Sequence, residues 1–283
     1  MLTITSWNIQ NGLGINGNIS LERISETLKE KNPDIICLQE VSRFIPLADG
    51  SNTDQYEEIK ALFPNYESIF GPAIDTEITG QEERGQYGNM ILSKYPIKAV
   101  FNHPLPQPPD SDAKKHMARQ LIEVTVETES STFRVMTTHL EYHSFLQRSA
   151  QSEHIMHIQD QVEKLQKFSH PVDESGPYKP LKRPIHCIVC GDFNFEPNSP
   201  EYEMITDSYL LRNSFHDAWV VAHQDENHAP TCGIFDHINW PQKSHCRDFF
   251  FITENLKNSL KNITVNQISQ ASDHQPVTLC LEL

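Results

Sequence analysis

The chain has 283 residues, and 38 acidic residues against 23 lysines and arginines give it a formal net charge of −15. Such a charge repels polyanions at long range, which argues against a nonspecific duplex-DNA-binding protein. No apolar run approaches the roughly 18 residues that a membrane span needs. We therefore expect a soluble protein with no transmembrane segment, and the cysteine usage described below adds a cytoplasmic location, although a secreted protein that has lost its signal peptide would have the same appearance.

The sequence contains no linker and no repeat, so residues 1–283 are predicted to form one domain. Residues 104–112 and 169–183 are rich in proline and polar residues, but predicted strands flank both segments, which indicates surface loops. The six cysteines lie mostly within apolar runs, where a free cysteine behaves as a small hydrophobic residue. This usage favours a reducing compartment.

Apolar patterning predicts many strands and few helices. Residues 18–32 form an amphipathic helix with Ser20 as its cap and Pro33 as its stop, and residues 144–168 form a longer helix whose inner stripe includes Ile155 and Leu165. Many strands with few helices favour sheet packed on sheet. Strands are predicted at 2–8, 34–40, 66–70, 88–93, 97–101, 119–127, 132–139, 185–191, 247–253, 262–268 and 275–282.

Polar residues stand at the ends of several predicted strands, where unpaired polar groups would be costly to bury. Singly, each motif could be a turn or an ordinary strand-end residue. Together they predict that carboxylates, amides and imidazoles converge at one site. In chain order the motifs are Trp7-Asn8, Gln39-Glu40, Thr138-His139, Gly191-Asp192-Phe193-Asn194, Asp248 before an aromatic strand, and Ser272-Asp273-His274.

The order and content of these motifs resemble the endonuclease/exonuclease/phosphatase superfamily, which includes pancreatic deoxyribonuclease, apurinic endonucleases, sphingomyelinases and inositol polyphosphate phosphatases. The resemblance spans residues 3 to 277. It implies an α+β fold, a four-layer α/β sandwich in which two mixed β-sheets pack face to face with helices outside. It also places the active site at one edge of the sandwich.

The residue types suit hydrolysis of a phosphate ester, in which a divalent cation neutralises phosphate oxygens and a further group activates water. Carboxylate and amide oxygens are hard ligands that suit Mg²⁺ or Mn²⁺. Glu40 is the first choice as a metal ligand. The resemblance adds Asn8 and Asp273, acting on the metal directly or through water.

The resemblance also suggests catalytic roles. Asp192 would orient and deprotonate the attacking water, and Asn194 would hold the phosphate or that water. His274 would donate a hydrogen bond to a phosphate oxygen while Asp248 fixes its ring and keeps it charged. His139 would either stabilise developing charge or protonate the leaving oxygen.

Substrate identity is less well defined by the sequence. Arg119 and Asn89 resemble family positions near the phosphate, so both are predicted to bind substrate together with Asn194. We expect a phosphodiester, either nucleic acid or a small-molecule or lipid diester, and we predict no protein partner. The alternatives are a phosphomonoesterase and a catalytically silent binding protein on the same fold.

Two other constellations could bind metal or carry redox chemistry. One contains His228, Cys232, His237, His245 and Cys246, but its spacings match no regular zinc-binding pattern. The other is Cys187-Ile-Val-Cys190, where strand geometry would direct the two thiols to opposite faces. Both are therefore predicted to be structural.

Overall fold

The computed structural model describes residues 1–168, 175–207, 215–224 and 226–283. Part of the loop predicted at 169–183 lies outside these ranges. The strands are β1 (Leu2–Asn8), β2 (Ile35–Arg43), β3 (Glu67–Glu77), β4 (Arg84–Ser93), β5 (Ile97–Pro104), β6 (Gln120–Glu127), β7 (Thr132–His139), β8 (Cys187–Asp192), β9 (His216–Asp217), β10 (Asp248–Ile252), β11 (Leu260–Val265) and β12 (Val277–Leu281). The helices are α1 (Leu21–Lys31), α2 (Gln55–Leu62), α3 (Phe145–Gln166), α4 (Pro200–Thr206) and α5 (Ala218–His223), with 3₁₀ turns at Gln10–Gly12, Gly176–Tyr178 and Glu254–Ser259.

Two six-stranded sheets face each other across the main core. The first has the order β11-β12-β1-β2-β4-β3 and the second β5-β6-β7-β8-β10-β9. Each sheet is mixed, since β1 pairs with β2 and β7 pairs with β8 in parallel while the other pairings are antiparallel. Side chains of both sheets, including Ile4, Ile35, Val124 and Phe250, form the central core.

The outer faces of the sheets are covered by helices. Leu28 of α1 and Ile59 of α2 pack against the first sheet, and Ile155 of α3 and Ile205 of α4 pack against the second. The molecule is thus the predicted four-layer α/β sandwich.

The first predicted helix begins after its predicted cap, Ser20, and the second begins after Ser144, the first residue of its predicted range. Ser20 accepts a hydrogen bond from the Arg23 N–H and Ser144 one from the Gln147 N–H, as N-caps do. One detail of the longer helix was wrong, because Leu165 is 53% exposed rather than part of the inner stripe. It lies in the last turn of α3, which extends past the apolar contacts made by Ile155, Ile158 and Val162.

Short helices and one long hairpin were not predicted. Helices α2, α4 and α5 have only six to eight residues each, too few to establish a helical period. Strands β3 and β4 extend beyond the predicted 66–70 and 88–93 because Asp75 pairs with Arg84 and Gln86 in an exposed, polar part of the hairpin. Within the described ranges, no helix combines the length and apolarity needed to cross a bilayer.

Candidate active site

The polar strand ends converge at one edge of the sandwich. Asn8 and Glu40 come from the first sheet, whereas His139, Asp192 and Asp248 come from the second. The segment before β12 supplies Asp273 and His274. A cavity of about 310 Å³ opens at this edge, and its walls include Glu40, Tyr87, Arg119, His139, Asp192, Asn194, Trp240, Asp273 and His274.

Glu40 lies within β2, which continues to Arg43, and not at the strand end predicted at residue 40; it occupies an irregularity there. The pairing of β2 with β4 shifts between Leu38 and Val41, and both of these side chains pack in the cluster beneath α1 and α2. In a regular strand, residues three apart would lie on opposite faces, so β2 carries an extra residue here, as a β-bulge does. Glu40 has φ +61°, a strained value for this residue type. The backbone thus gives this carboxylate its place in the cavity wall.

The turn after β8 fixes Asp192 and Asn194. Gly191 has φ +144°, and a Cβ there would lie 1.9 Å from the Thr138 carbonyl oxygen, so only glycine fits. The Asn194 backbone N–H donates to Asp192 Oδ1 at 3.0 Å, and its side-chain amide donates to the Leu140 carbonyl at 3.0 Å. Both side chains are buried, with Asp192 held by the N–H of its own turn and Asn194 held by the residue that follows β7.

Three side chains of the site surround Asp192 Oδ2. The Asn8 amide donates to it at 3.0 Å, and the Nε2 atoms of His139 and His274 lie 3.4 and 3.6 Å from it. The same Asn8 nitrogen donates to Glu40 Oε1 at 2.9 Å, whereas Asn8 Oδ1 accepts the Gln10 backbone N–H at 3.0 Å. Asn8 therefore aligns two carboxylates, and its oxygen is engaged elsewhere.

The surroundings keep Asp192 ionised. Burial raises its pKa, but the charge of His274 and the hydrogen bonds from Asn8 and Asn194 outweigh burial and lower the pKa below the usual value. A carboxylate in this state can accept a proton from a bound water.

His274 and Asp248 form a buried pair. His274 Nδ1 lies 2.8 Å from Asp248 Oδ2, and the backbone of His274 is fixed by the Trp7 indole, which donates to its carbonyl at 2.9 Å. Burial lowers the pKa of His274, but Asp248 and Asp192 raise it well above the usual value. His274 is thus a cationic donor facing Asp192.

His139 has the opposite electrostatic character. Burial and the neighbouring Arg119 guanidinium lower its pKa to about 3, against a weaker opposing effect of Asp192. The imidazole is therefore neutral at physiological pH. Of the two roles predicted for it, charge stabilisation by a neutral N–H fits this state better than proton donation by an imidazolium.

Glu40 and Asp273 form the acidic side of the cavity. Burial and the charge of Asp273 raise the pKa of Glu40, and the Trp240 indole N–H donates to Asp273 Oδ2 at 3.1 Å. A divalent cation would relieve the repulsion between the two carboxylates, and their hard oxygens match Mg²⁺ or Mn²⁺. These residues fit the metal that the sequence predicts.

The two predicted substrate ligands differ in position. Arg119 is buried in the cavity wall, where its Nε donates to Glu141 Oε2 at 3.2 Å and its Nη1 has no hydrogen-bond partner within the described ranges. Asn89 is not brought into the cavity wall, because its amide donates to the backbone and side-chain oxygens of Gln120, each at 3.1 Å. A substrate contact from Asn89 stays a prediction.

Tyr87 and Trp240 were not assigned to the site from the sequence, yet both line the cavity. Tyr87 hydrogen-bonds Glu40, and burial followed by the charge of Glu40 raises its pKa well above normal. Its position directly before the predicted strand at 88–93 was the available signal. Trp240 lies in an irregular segment, 6.0 Å from the half-exposed ring of Tyr142, and no local pattern predicts that contact.

The two alternative constellations have ordinary contacts. His228 Nε2 lies 2.7 Å from Asp217 Oδ2, and Cys232 Sγ lies 3.3 Å from His245 Nε2. Among the described residues, the group whose possible ligand atoms all lie within 4.8 Å of one another is instead Asp192, Asp248 and His274. Cys187 packs in the outer cluster and Cys190 in the central core, so β8 places them on opposite faces, as predicted.

The sandwich, with polar residues of both sheets meeting at one edge, is the architecture that the sequence resemblance implies. The sequence profile of the endonuclease/exonuclease/phosphatase family matches residues 5–274, and the chain belongs to this family. No protein among the curated sequences matches this chain.

Solved structures show the same fold at low sequence identity. An endonuclease/exonuclease/phosphatase from Beutenbergia cavernae has 20% identity and a TM-score of 0.70, with 100% of this chain and 71% of that chain covered. A mannosyl-6-phosphatase from Bacteroides thetaiotaomicron has 17% identity and a TM-score of 0.70, with both chains covered completely. The human Nocturnin catalytic domain has 20% identity and a TM-score of 0.64, with 99% of this chain and 93% of that chain covered.

Proposed function

We propose that residues 1–283 form one catalytic domain that hydrolyses phosphodiester bonds with Mg²⁺ or Mn²⁺. The main support for this function is the position of Asp192. Its Oδ2 is within 3.6 Å of two imidazole nitrogens and is linked through Asn8 to Glu40. Ionised Asp192, the cationic donor His274 and the acidic pair of Glu40 and Asp273 therefore line one cavity.

Asp192 is the group that takes a proton from the attacking water. The water oxygen forms a bond to phosphorus as the bond to the leaving oxygen breaks on the opposite side; the leaving oxygen departs as an anion with the electron pair of that bond, and the water proton moves to the Asp192 carboxylate. Asn194, whose side-chain amide is held by the Leu140 carbonyl, orients the water or a phosphate oxygen.

Glu40 and Asp273 are the proposed metal ligands. A bound divalent cation would neutralise phosphate oxygens there. Asn8 aligns Glu40 with Asp192, and the Trp240 N–H fixes Asp273.

The cationic side of the site binds the phosphate. His274 donates from Nε2 to a phosphate oxygen while Asp248 holds its Nδ1, and neutral His139 stabilises charge that develops on the oxygens. Arg119 adds a buried positive charge that Glu141 orients. This charge also favours a doubly charged monoester, so a phosphomonoesterase is the second candidate.

The deciding assay compares bis-p-nitrophenyl phosphate with p-nitrophenyl phosphate, with and without EDTA. We expect faster hydrolysis of the diester, loss of activity in EDTA and recovery with Mg²⁺ or Mn²⁺. Glu40→Gln should raise the metal concentration needed for activity, whereas Glu77→Gln, an exposed change on the same sheet, should not. Full activity in excess chelator would contradict the metal role, and faster monoester turnover would favour the second candidate.

A substrate panel then separates the natural classes. It contains plasmid DNA, abasic and 5′-tyrosyl oligonucleotides, RNA, sphingomyelin and inositol phosphates. If the purified protein hydrolyses none of these and neither nitrophenyl ester with any divalent metal, the silent binding protein becomes the better description.

A further inference from the structure

A second cavity adjoins the catalytic one. It measures about 380 Å³, and Glu40 and Tyr87 line both cavities, so the two adjoin at these residues. Its volume lies within the range of small-molecule sites. None of the catalytic or substrate-binding roles proposed above uses this space, which we call the side cavity.

The wall of the side cavity is largely apolar. It is built by the 3₁₀ turn after β1 and by the loop that follows β2, and its apolar members are Leu13, Ile19, Ile45, Pro46, Leu47 and Ala48. Among the described residues that line it, Glu40 alone carries a formal charge. The basic side chains of Arg119 and His274 line the catalytic cavity instead.

Hydrogen bonds hold the loop after β2 in place. The Phe44 N–H donates to the Thr53 carbonyl at 3.0 Å, and the Leu47 N–H donates to the Ser51 carbonyl at 2.7 Å. Ile45 also packs on β4, where a Cβ at Gly85 would lie 3.0 Å from its Cγ1. The wall is therefore formed before any ligand binds, which lowers the entropy cost of binding.

Charge and surface together define the occupant. An anionic group in the side cavity would lose its hydration without meeting a basic side chain, since none of the described residues lining this cavity is basic, whereas an apolar group would gain by leaving water. A polyanionic extension of the substrate is thus disfavoured on this side of the phosphate.

We propose that the side cavity is a subsite for an uncharged, largely apolar organic group, aryl or alkyl, attached to the phosphorus-bearing part of the substrate. The inference rests on the proposed function, because it takes the catalytic cavity as the phosphate site. It gives the bound substrate an orientation, with the phosphate beside Arg119 and His274 and a neutral group beyond Glu40.

The test compares the binding of phenylphosphonate and methylphosphonate, measured by isothermal titration with Mg²⁺ present. Burying the additional ring surface should make phenylphosphonate bind on the order of tenfold more tightly. Leu47→Asn, which keeps the size but makes the wall polar, should reduce this preference to less than about threefold. Leu181→Asn, at an exposed position on another loop, should leave the preference unchanged.

The outcomes separate this proposal from the catalytic one. Equal binding of the two phosphonates, or a preference that survives Leu47→Asn, would overturn the subsite. Tyr142 lines the catalytic cavity and not the side cavity, so a preference that only Tyr142→Ala abolishes would also overturn it. Hydrolysis of bis-p-nitrophenyl phosphate is measured in parallel. Inactive protein that keeps a Leu47-dependent preference would refute the catalytic proposal and retain the subsite, whereas active protein without the preference would do the reverse.

Discussion

Glu123 of β6 offers a quantitative test of how the second sheet is held together. It is fully buried, Arg183 donates to both of its oxygens at 2.6 Å, and His103 Nε2 lies 3.0 Å away. Arg134 Nη1 lies 3.4 Å from it and also anchors the segment before β8, because its Nε donates to the Pro184 carbonyl at 2.6 Å. The network therefore supports the strand that carries Asp192.

The pKa of Glu123 gives the expected magnitude. Burial raises it, but hydrogen bonds from Arg183 and His103 and the nearby guanidinium charges lower it from 4.5 to about 2. A drop of this size corresponds to about 3 kcal/mol of folding free energy. Because the folded pKa is depressed, this stabilisation is present above pH 4.5 and is lost as the pH falls from 4.5 towards 2.

Glu123→Gln mimics the protonated carboxyl. We expect it to lower the free energy of unfolding at pH 7 by about 3 kcal/mol or more, since it also leaves buried guanidinium groups uncompensated. Urea denaturation followed by tryptophan fluorescence between pH 7 and pH 3 should show the gap from wild type narrowing as the pH falls. Glu127→Gln, four residues along the same strand in exposed ion pairs with Lys98 and Lys182, is the matched control and should change stability much less. A gap independent of pH would refute this account.

Three further predictions concern the active site. Asp248→Asn and His274→Gln should each lower kcat by a factor of about 10² to 10⁴. The double variant should lose little more, because the pair acts as a unit. A loss in the double variant equal to the product of the two single losses would show that the residues act independently. Gly191→Ala should destabilise the fold by at least about 2 kcal/mol in denaturant titrations, whereas Gly17→Ala, at positive φ in open space, should cost less; equal costs would remove steric contact as the reason. Trp240→Phe should weaken Mn²⁺ binding about tenfold in calorimetric titrations without loss of folded structure, and an unchanged affinity would mean that the indole hydrogen bond does not position Asp273.

The sequence alone identified most of the fold because apolar strand patterns and the polar residues that end them are local signals. Asn8, Asp192 and Asp248 could be placed at strand ends on this basis, and the structure brings them together with Glu40, which lies within β2 rather than at its predicted end. Ser20 likewise marked the start of α1. These features depend on a few neighbouring residues, which a pattern can register.

Other features depend on partners far away in the chain. The β2 bulge arises from pairing with β4, and the orientation of Asn8 is set by the backbone of Gln10 together with carboxylates 32 and 184 positions away. Asn89 was assigned to the correct strand, but Gln120 of the opposite sheet engages its amide. Trp240 reaches Asp273 from an irregular segment, so the contact exists only in the folded chain.

The site residues come from both sheets, so the geometry of the active site depends on how the two sheets, which are the two halves of the sandwich, are aligned. The Asn8 to Asp192 hydrogen bond and the His274 to Asp248 pair each cross from one half to the other. A displacement of about 1 Å between catalytic groups can reduce a rate about a hundredfold. A core substitution that lets the sheets slide slightly would therefore reduce turnover while the protein remains folded, so catalytic rate would report on the central core more sensitively than a melting curve.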